Sequence, residues 1–278
     1  NPTAKRLLKP VLFLATAYVA VLALLFLLQT WLIFPTYMAA ATPRLPAAAV
    51  ELEIATPDGA VLRGLHLPPA ESREGEGAGA RLVILGFGGN AWNAGSLAGY
   101  LQALYPAAEV VAFHYRGYAP SSGSPGAAAI LADAPRVYDL VRERFSDARV
   151  VAVGFSLGAS VAANLAGQRP LAGRILVTPF DSLEAMARDN YPWVPVGWLL
   201  RHHMSTVAPL RGLSLPTALI TAADDTIVPP ARSVAVRQAI DSLVLDRTIA
   251  GAGHNELYGR PEFRAAMREA LAALLRRE

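Results

Sequence analysis

Apolar positions are distributed along this chain in two regimes. From Val11 to Phe34 they are nearly continuous and no charged side chain interrupts them. At about 1.5 Å per residue a helix of that length reaches roughly 36 Å, enough to cross a hydrocarbon layer of about 30 Å. From Arg81 onward, short apolar runs alternate with longer helical stretches, the pattern of β-α-β units around a parallel sheet. Leu82–Phe87, Val110–His114, Val150–Gly154, Ile175–Thr178, Thr217–Thr221 and Arg247–Ala250 are the predicted strands. Helices are predicted near 93–104, 127–145, 157–168, 230–240 and 262–277.

Ahead of this region, Val50–Thr56 and Val61–Leu67 form a predicted hairpin turned by Pro57-Asp58-Gly59. Pro35–Ala49 is rich in Pro and Ala and reads as a linker, and Glu71–Ala80 as a surface loop rich in Gly and Glu. Pro179–Leu215 breaks the alternation and is too long for a plain loop. It holds Tyr191-Pro192-Trp193-Val194-Pro195 and Trp198-Leu199-Leu200, and predicts a small cap inserted after a strand. The expected organisation is a basic flank over 1–10, a transmembrane helix over 11–34, a linker over 35–49 and one α/β domain over 50–278, with the cap at about 180–215.

Composition sharpens the first regime. Of 278 residues, 53% are hydrophobic and only 17% charged, and the apolar excess is concentrated at the N-terminal end. A cleaved signal peptide is the rival reading, since Ala39, Ala40 and Ala41 are small, but its apolar region normally runs only about 7–15 residues. The length favours an uncleaved signal anchor. Lys5, Arg6 and Lys9 precede the span and Arg44 alone follows it, which by the positive-inside rule places the N-terminus in the cytoplasm and the domain outside. Trp31 and Tyr37 suit the far interface. The net charge of +3 comes from scattered arginines and does not suggest nucleic acid. With no cysteine, disulfides, a thiol nucleophile and thiolate metal sites are excluded. The five histidines match no metal-binding spacing, so neither metal nor cofactor is expected.

The chemistry centres on Val150-Val151-Ala152-Val153-Gly154-Phe155-Ser156-Leu157-Gly158, a buried strand running through G-x-S-x-G into helix-compatible residues. A serine on a sharp strand-to-helix turn needs glycines at Gly154 and Gly158 so that strand and helix can approach. A serine hydroxyl also needs a base and a group to orient it. Among the histidines only His254, in Gly251-Ala252-Gly253-His254-Asn255, has the late loop position that the order Ser, acid, His demands. Asp224 and Asp225 both follow the strand Thr217–Thr221, and spacing alone leaves both open. Asp181, after an earlier strand, ranks below them. Oxyanion donors are expected from the backbone N–H of Leu157 and from Gly86-Phe87-Gly88-Gly89-Asn90, through the N–H of Asn90.

With Gly88-Gly89-Asn90-Ala91, His114-Tyr115-Arg116-Gly117-Tyr118, Gly154-Phe155-Ser156-Leu157-Gly158, Asp225-Thr226-Ile227-Val228-Pro229 and Gly253-His254, the chain resembles the α/β-hydrolase-domain family over about residues 50–275. Within it, the likeness is to the single-pass membrane-anchored serine hydrolases, which include esterases and depalmitoylating thioesterases. The resemblance implies an α/β-hydrolase fold, and it puts the triad acid, which in that family belongs to a D-x-x-V-P stretch, at Asp225. Relatives commonly read His-Gly-Asn where this chain has Gly88-Gly89-Asn90. Arg116 and Tyr118 are expected to brace the active-site loops.

The expected activity is hydrolysis of a carboxylic ester or thioester, including lipid or acyl-chain substrates, by Ser156, His254 and Asp225 through an acyl-enzyme. A histidine base implies a rate that rises with pH across about 6–7. In the cap, Tyr191, Trp193 and Trp198, with Leu199 and Leu200, read equally as an acyl-chain site, a surface dipping into the bilayer, or rings that simply pack. A peptidase or amidase on the same triad is the alternative within hydrolases. A silent hydrolase fold serving as a scaffold subunit in a membrane complex is the alternative outside them.

Overall fold

The computed structural model describes residues 2–39, 41, 46–71 and 81–276. Ala40, Arg44 and the stretch 72–80, on which parts of the cleavage, orientation and loop readings rest, lie outside the described residues. In chain order the elements are helix α1 (Pro2–Ile33), strands β1 (Val50–Ala55), β2 (Val61–Leu67) and β3 (Leu82–Phe87), and helix α2 (Ala94–Leu104). There follow β4 (Glu109–Phe113), α3 (Ala127–Arg144), β5 (Arg149–Phe155), α4 (Leu157–Ala166) and β6 (Gly173–Val177). The chain ends with α5 (Leu183–Asn190), α6 (Val196–Leu199), β7 (Thr217–Ala222), α7 (Pro230–Gln238), β8 (Leu243–Ile249) and α8 (Pro261–Leu275).

The eight strands form one sheet in the order β1-β2-β4-β3-β5-β6-β7-β8. The hairpin β1-β2 is antiparallel and β2 meets β4 antiparallel, while every pairing from β4 through β8 is parallel. Parallel strands must be covered on both faces, and β3 and β7 are buried at every position. Alternate residues feed two cores. Val83, Leu85, Val150 and Ala152 join Ile130, Val137, Val161 and Leu165 of α3 and α4 on one face. Leu82, Ile84, Val151 and Val153 join Leu97, Leu101, Phe263 and Met267 of α2 and α8 on the other. This is the doubly wound arrangement that the alternating pattern predicts, and it is the α/β-hydrolase fold.

The predicted strand at Arg247–Ala250 is longer in the structure, running from Leu243 to Ile249. As the edge strand it carries the charged Asp246 and Arg247 partway along, and its pairing to β7 shifts register between Thr217 and Ala218. Its first half, Leu243-Val244-Leu245, is apolar but too short before Asp246 to read as a strand by itself.

The winding reverses at β3, whose parallel neighbours are β4 on one side and β5 on the other. In open α/β sheets the loops diverge at such a switch point and leave a crevice at the carboxyl ends of the strands. Helix α1 is long and apolar enough to cross a membrane by length and composition. Its last turns do not stand free of the domain: Gln29 and Phe34 are buried, and Phe34 belongs to the core on the α3-α4 face.

At the carboxyl end of β4, His114 is buried beside Leu62, Phe87, Ile130 and Val137. Burial lowers its pKa from 6.5 to about 4, so the folded protein holds this ring neutral where the unfolded chain would protonate it. Between about pH 6.5 and 4 the unfolded state binds more protons, and stability falls as pH falls through that window. His114→Leu is expected to flatten this part of a plot of thermal midpoint against pH, leaving values above pH 7 less affected.

Candidate active site

Ser156 stands between β5 and α4 with φ 51° and ψ −114°, a conformation that costs a non-glycine residue about 1–3 kcal/mol. The turn is possible because two neighbours lack side chains. A Cβ at Gly154 would lie 2.3 Å from the Gly158 carbonyl oxygen, and one at Gly158 would lie 2.1 Å from the Phe87 carbonyl oxygen. Strand β5, helix α4 and the end of β3 therefore meet backbone to backbone. The N–H of Leu157 opens α4 and is one of the N–H groups that a helix leaves without an internal acceptor.

The loop after β3 runs against this elbow. A Cβ at Gly89 would be 3.6 Å from the Ser156 Cβ and 3.5 Å from the Phe155 carbonyl oxygen. The loop is tied down on both sides. Tyr115 donates its hydroxyl to the Gly88 carbonyl at 2.8 Å, and Tyr118 donates to the Asn90 side-chain oxygen at 2.5 Å. The Asn90 amide in turn donates to the Ile33 carbonyl at the end of α1, at 2.6 Å. A side chain at position 88 would meet the Trp92 Cβ at 3.2 Å. Gly88 thus sits in a loop held by the hydroxyls of Tyr115 and Tyr118 and by the tie from Asn90 to α1.

Asp225 follows β7 and is buried. One carboxylate oxygen accepts the backbone N–H groups of Ile227 and Val228 at 2.9 and 2.7 Å, and the other lies 2.7 Å from His254 Nδ1. Two backbone donors fix the carboxylate, so its second oxygen orients the ring. With the proton on Nδ1, Nε2 of the neutral imidazole is an acceptor. Nε2 and the Ser156 hydroxyl have no side-chain or backbone hydrogen-bond partner among the described residues. Asp224 is exposed and makes no bond to the histidine. Asp181 is taken by the Ser182 N–H and by Arg232 at 2.8 Å.

Arg116 is buried and grips Asp133 of α3 with two bonds, at 2.9 and 2.6 Å, and also meets Asp58 of the hairpin turn. It supports the turn that carries Tyr115 and Tyr118. The cap residues are more open. Trp198 is 91% exposed, while Trp193 and Tyr191 are half exposed. The Trp193 carbonyl accepts the hydroxyl of Tyr18 on α1 at 2.8 Å. Among the described residues, no cluster of three or more His, Cys, Asp or Glu is placed to hold a metal ion.

Sequence reading missed the contacts of α1 with the cap and with the loop after β3. Gln29 was the available signal: a lone amide in an uncharged apolar run needs a hydrogen-bonding partner. It donates to the Leu199 carbonyl at 3.1 Å and accepts from the Arg201 N–H at 2.7 Å, while Thr30 bonds His202 Nε2 at 2.8 Å.

Comparison with known proteins agrees with this architecture. A family model of the alpha/beta hydrolase fold matches residues 82–212. The chain is 32% identical over 214 residues to the uncharacterized protein Rv2307c of Mycobacterium tuberculosis, covering 76% of this chain and 74% of that one. It is 28% identical over 192 residues to the lysophosphatidylserine lipase ABHD12 of Xenopus tropicalis, which is 58% of this chain and about half, 49%, of the lipase. Among solved structures, an esterase of Pyrococcus furiosus superposes with a TM-score of 0.63 at 17% identity, over 81% of this chain and 91% of its own. A hydrolase of Pseudomonas aeruginosa PA01 gives 0.59 at 18% identity, over 81% and 98%. At those identities the solved structures speak to the fold. The chain belongs to the α/β-hydrolase family.

Gly158→Ala is expected to destabilise the protein by about 1–3 kcal/mol, the usual cost of overpacking a close contact. It should also lower any activity, because relief requires the Phe87 and Gly88 carbonyls to move. Thermal unfolding followed beside turnover checks both, and an unchanged midpoint would mean that the three backbones are not in contact.

Proposed function

We propose that the chain is a membrane-anchored serine hydrolase in which Ser156, His254 and Asp225 form the catalytic triad. The 2.7 Å bond from His254 Nδ1 to a carboxylate fixed by two backbone donors carries this reading. Such a bond sets the tautomer that a base needs, and it lies over the same carboxyl edge of the sheet as the serine elbow.

Ser156 Oγ attacks the acyl carbon as His254 Nε2 takes its proton, and Asp225 stabilises the resulting imidazolium. The N–H groups of Leu157 and Asn90 receive the oxyanion. The leaving alcohol or thiol takes the proton back from His254, and water, activated by the same ring, releases the acid. The hydroxyl and the ring close to bonding distance when substrate is seated, since catalytic hydrogen bonds are often open in an unliganded site.

Helix α1 is the anchor in this reading. Lys5, Arg6 and Lys9 keep its start in the cytoplasm, so the catalytic domain lies on the outer side. A carboxylic ester or thioester is the favoured substrate, and the match to a lysophosphatidylserine lipase adds weight to a lipid ester.

The test is labelling with a fluorophosphonate, which phosphonylates activated serines. Labelling of the full chain in detergent is expected, with none for Ser156→Ala and a loss of roughly a thousandfold or more for His254→Ala. Asp225→Asn should lower kcat by about 10³–10⁴ with a smaller effect on KM, because it upsets the tautomer and leaves binding alone. Undiminished labelling of Ser156→Ala would remove the serine from the reaction. A parallel panel of ester, thioester and amide substrates separates esterase from peptidase.

A further inference from the structure

A cavity of about 280 Å³ lies between the last turns of α1 and the cap. One wall comes from α1 through Leu25, Phe26 and Ile33; the other comes from the cap through Met186, Ala187 and Leu199. The lining is overwhelmingly apolar, and Gln29, the polar group of α1 that borders it, is already engaged with cap backbone. We infer that this cavity takes the acyl chain of a bilayer lipid ester, so that the anchor helix forms one wall of the substrate site.

Three observations single out a lipid chain as the occupant. The first is position. Ile33 lines the cavity, and its carbonyl accepts the Asn90 amide, so this end adjoins the loop assigned to the oxyanion. From Ile33 to Leu25 the cavity follows about 12 Å of helix, running back toward the part of α1 that is exposed and apolar. An acyl carbonyl at the loop would have its chain pointing into the membrane.

The second is depth. Tyr18 bonds the Trp193 carbonyl, and their rings lie 6.4 Å apart. The cap therefore follows α1 from Ile33 back to Tyr18, about 22 Å of a helix that needs about 30 Å to span the hydrocarbon. Tyr191 and Trp193, each about half exposed, lie on the side of the cap that faces α1, where their rings meet lipid in place of water. The Arg201 guanidinium donates to the Phe26 carbonyl at 3.1 Å and sits over the Phe26 ring.

The third is size. Ligand pockets run from about 300 to 1,000 Å³, and 280 Å³, just under that range, has room for one extended chain and not for a pair. No charged side chain lines the cavity, so a charged ligand would lose its hydration there without an ion to pair with.

This inference rests on the serine hydrolase reading, and the experiment separates the two. The full chain in phosphatidylcholine nanodiscs is given p-nitrophenyl acetate and p-nitrophenyl palmitate. Leu25→Trp fills the cavity from α1 and Ala187→Trp fills it from the cap; the cavity lining includes neither the triad residues nor the loop from Gly88 to Asn90. Each variant is expected to lose about tenfold or more of kcat/KM on the palmitate, the scale on which a hydrophobic pocket discriminates, with acetate turnover and fluorophosphonate labelling of Ser156 within about twofold of the native chain. Leu25→Trp decides whether α1 is a wall, since it leaves the cap unaltered. Equal losses on both esters with labelling retained, or no loss on palmitate, would overturn the cavity assignment and leave the serine reading standing. Failure of the native chain to label or to cleave either ester would overturn the serine reading itself, and the acyl site with it.

Discussion

Everything at the carboxyl edge of the sheet depends on three stretches of backbone being allowed to touch. Strand β5, helix α4 and the end of β3 meet where Gly154 and Gly158 have no Cβ, with hypothetical side-chain atoms falling 2.1 to 2.3 Å from carbonyl oxygens. That contact forces the strained turn at Ser156, lifts its side chain above the sheet, and sets the start of α4 beside the loop from Gly88 to Asn90. The strain is stored in one residue and held by the packing of the six parallel strands, β3 to β8, around it.

The surrounding polar groups serve that turn from outside. Tyr115 and Tyr118 reach the loop after β3 from the turn after β4, and Arg116 holds their turn against α3. The loop's stiffness therefore comes from side chains that lie more than twenty positions away in the chain. On the opposite side Asn90 bonds the end of α1. A segment that looks like a mere tether in the sequence is in structural contact with the loop that runs against the Ser156 turn.

Much of the fold was legible because buried parallel strands write themselves as short apolar runs, and β3 matches its predicted bounds residue for residue. The edge strand β8 was half hidden because Asp246 and Arg247 leave only the three apolar residues Leu243, Val244 and Leu245 ahead of them. At the site, G-x-S-x-G and the late histidine were visible from context. Asp225 was separable from Asp224 only by resemblance, because two adjacent carboxylates after a strand look alike until backbone N–H groups choose one of them. The contacts of α1 with the domain were not legible: hydropathy treats Leu25, Gln29 and Ile33 as parts of one greasy segment, and which face meets the cap is a matter of rotation about the helix axis.

Gln29 fixes that rotation. Its amide both donates to the Leu199 carbonyl and accepts from the Arg201 N–H, so it completes two backbone bonds of the cap as a neighbouring strand would. Cutting the protein after residue 34 to obtain a water-soluble fragment would strip those partners away, open one side of the apolar cavity to solvent, and free the Asn90 amide. The fragment would keep the sheet and its histidine-aspartate pair, but with the cap left facing water on the side that α1 covers.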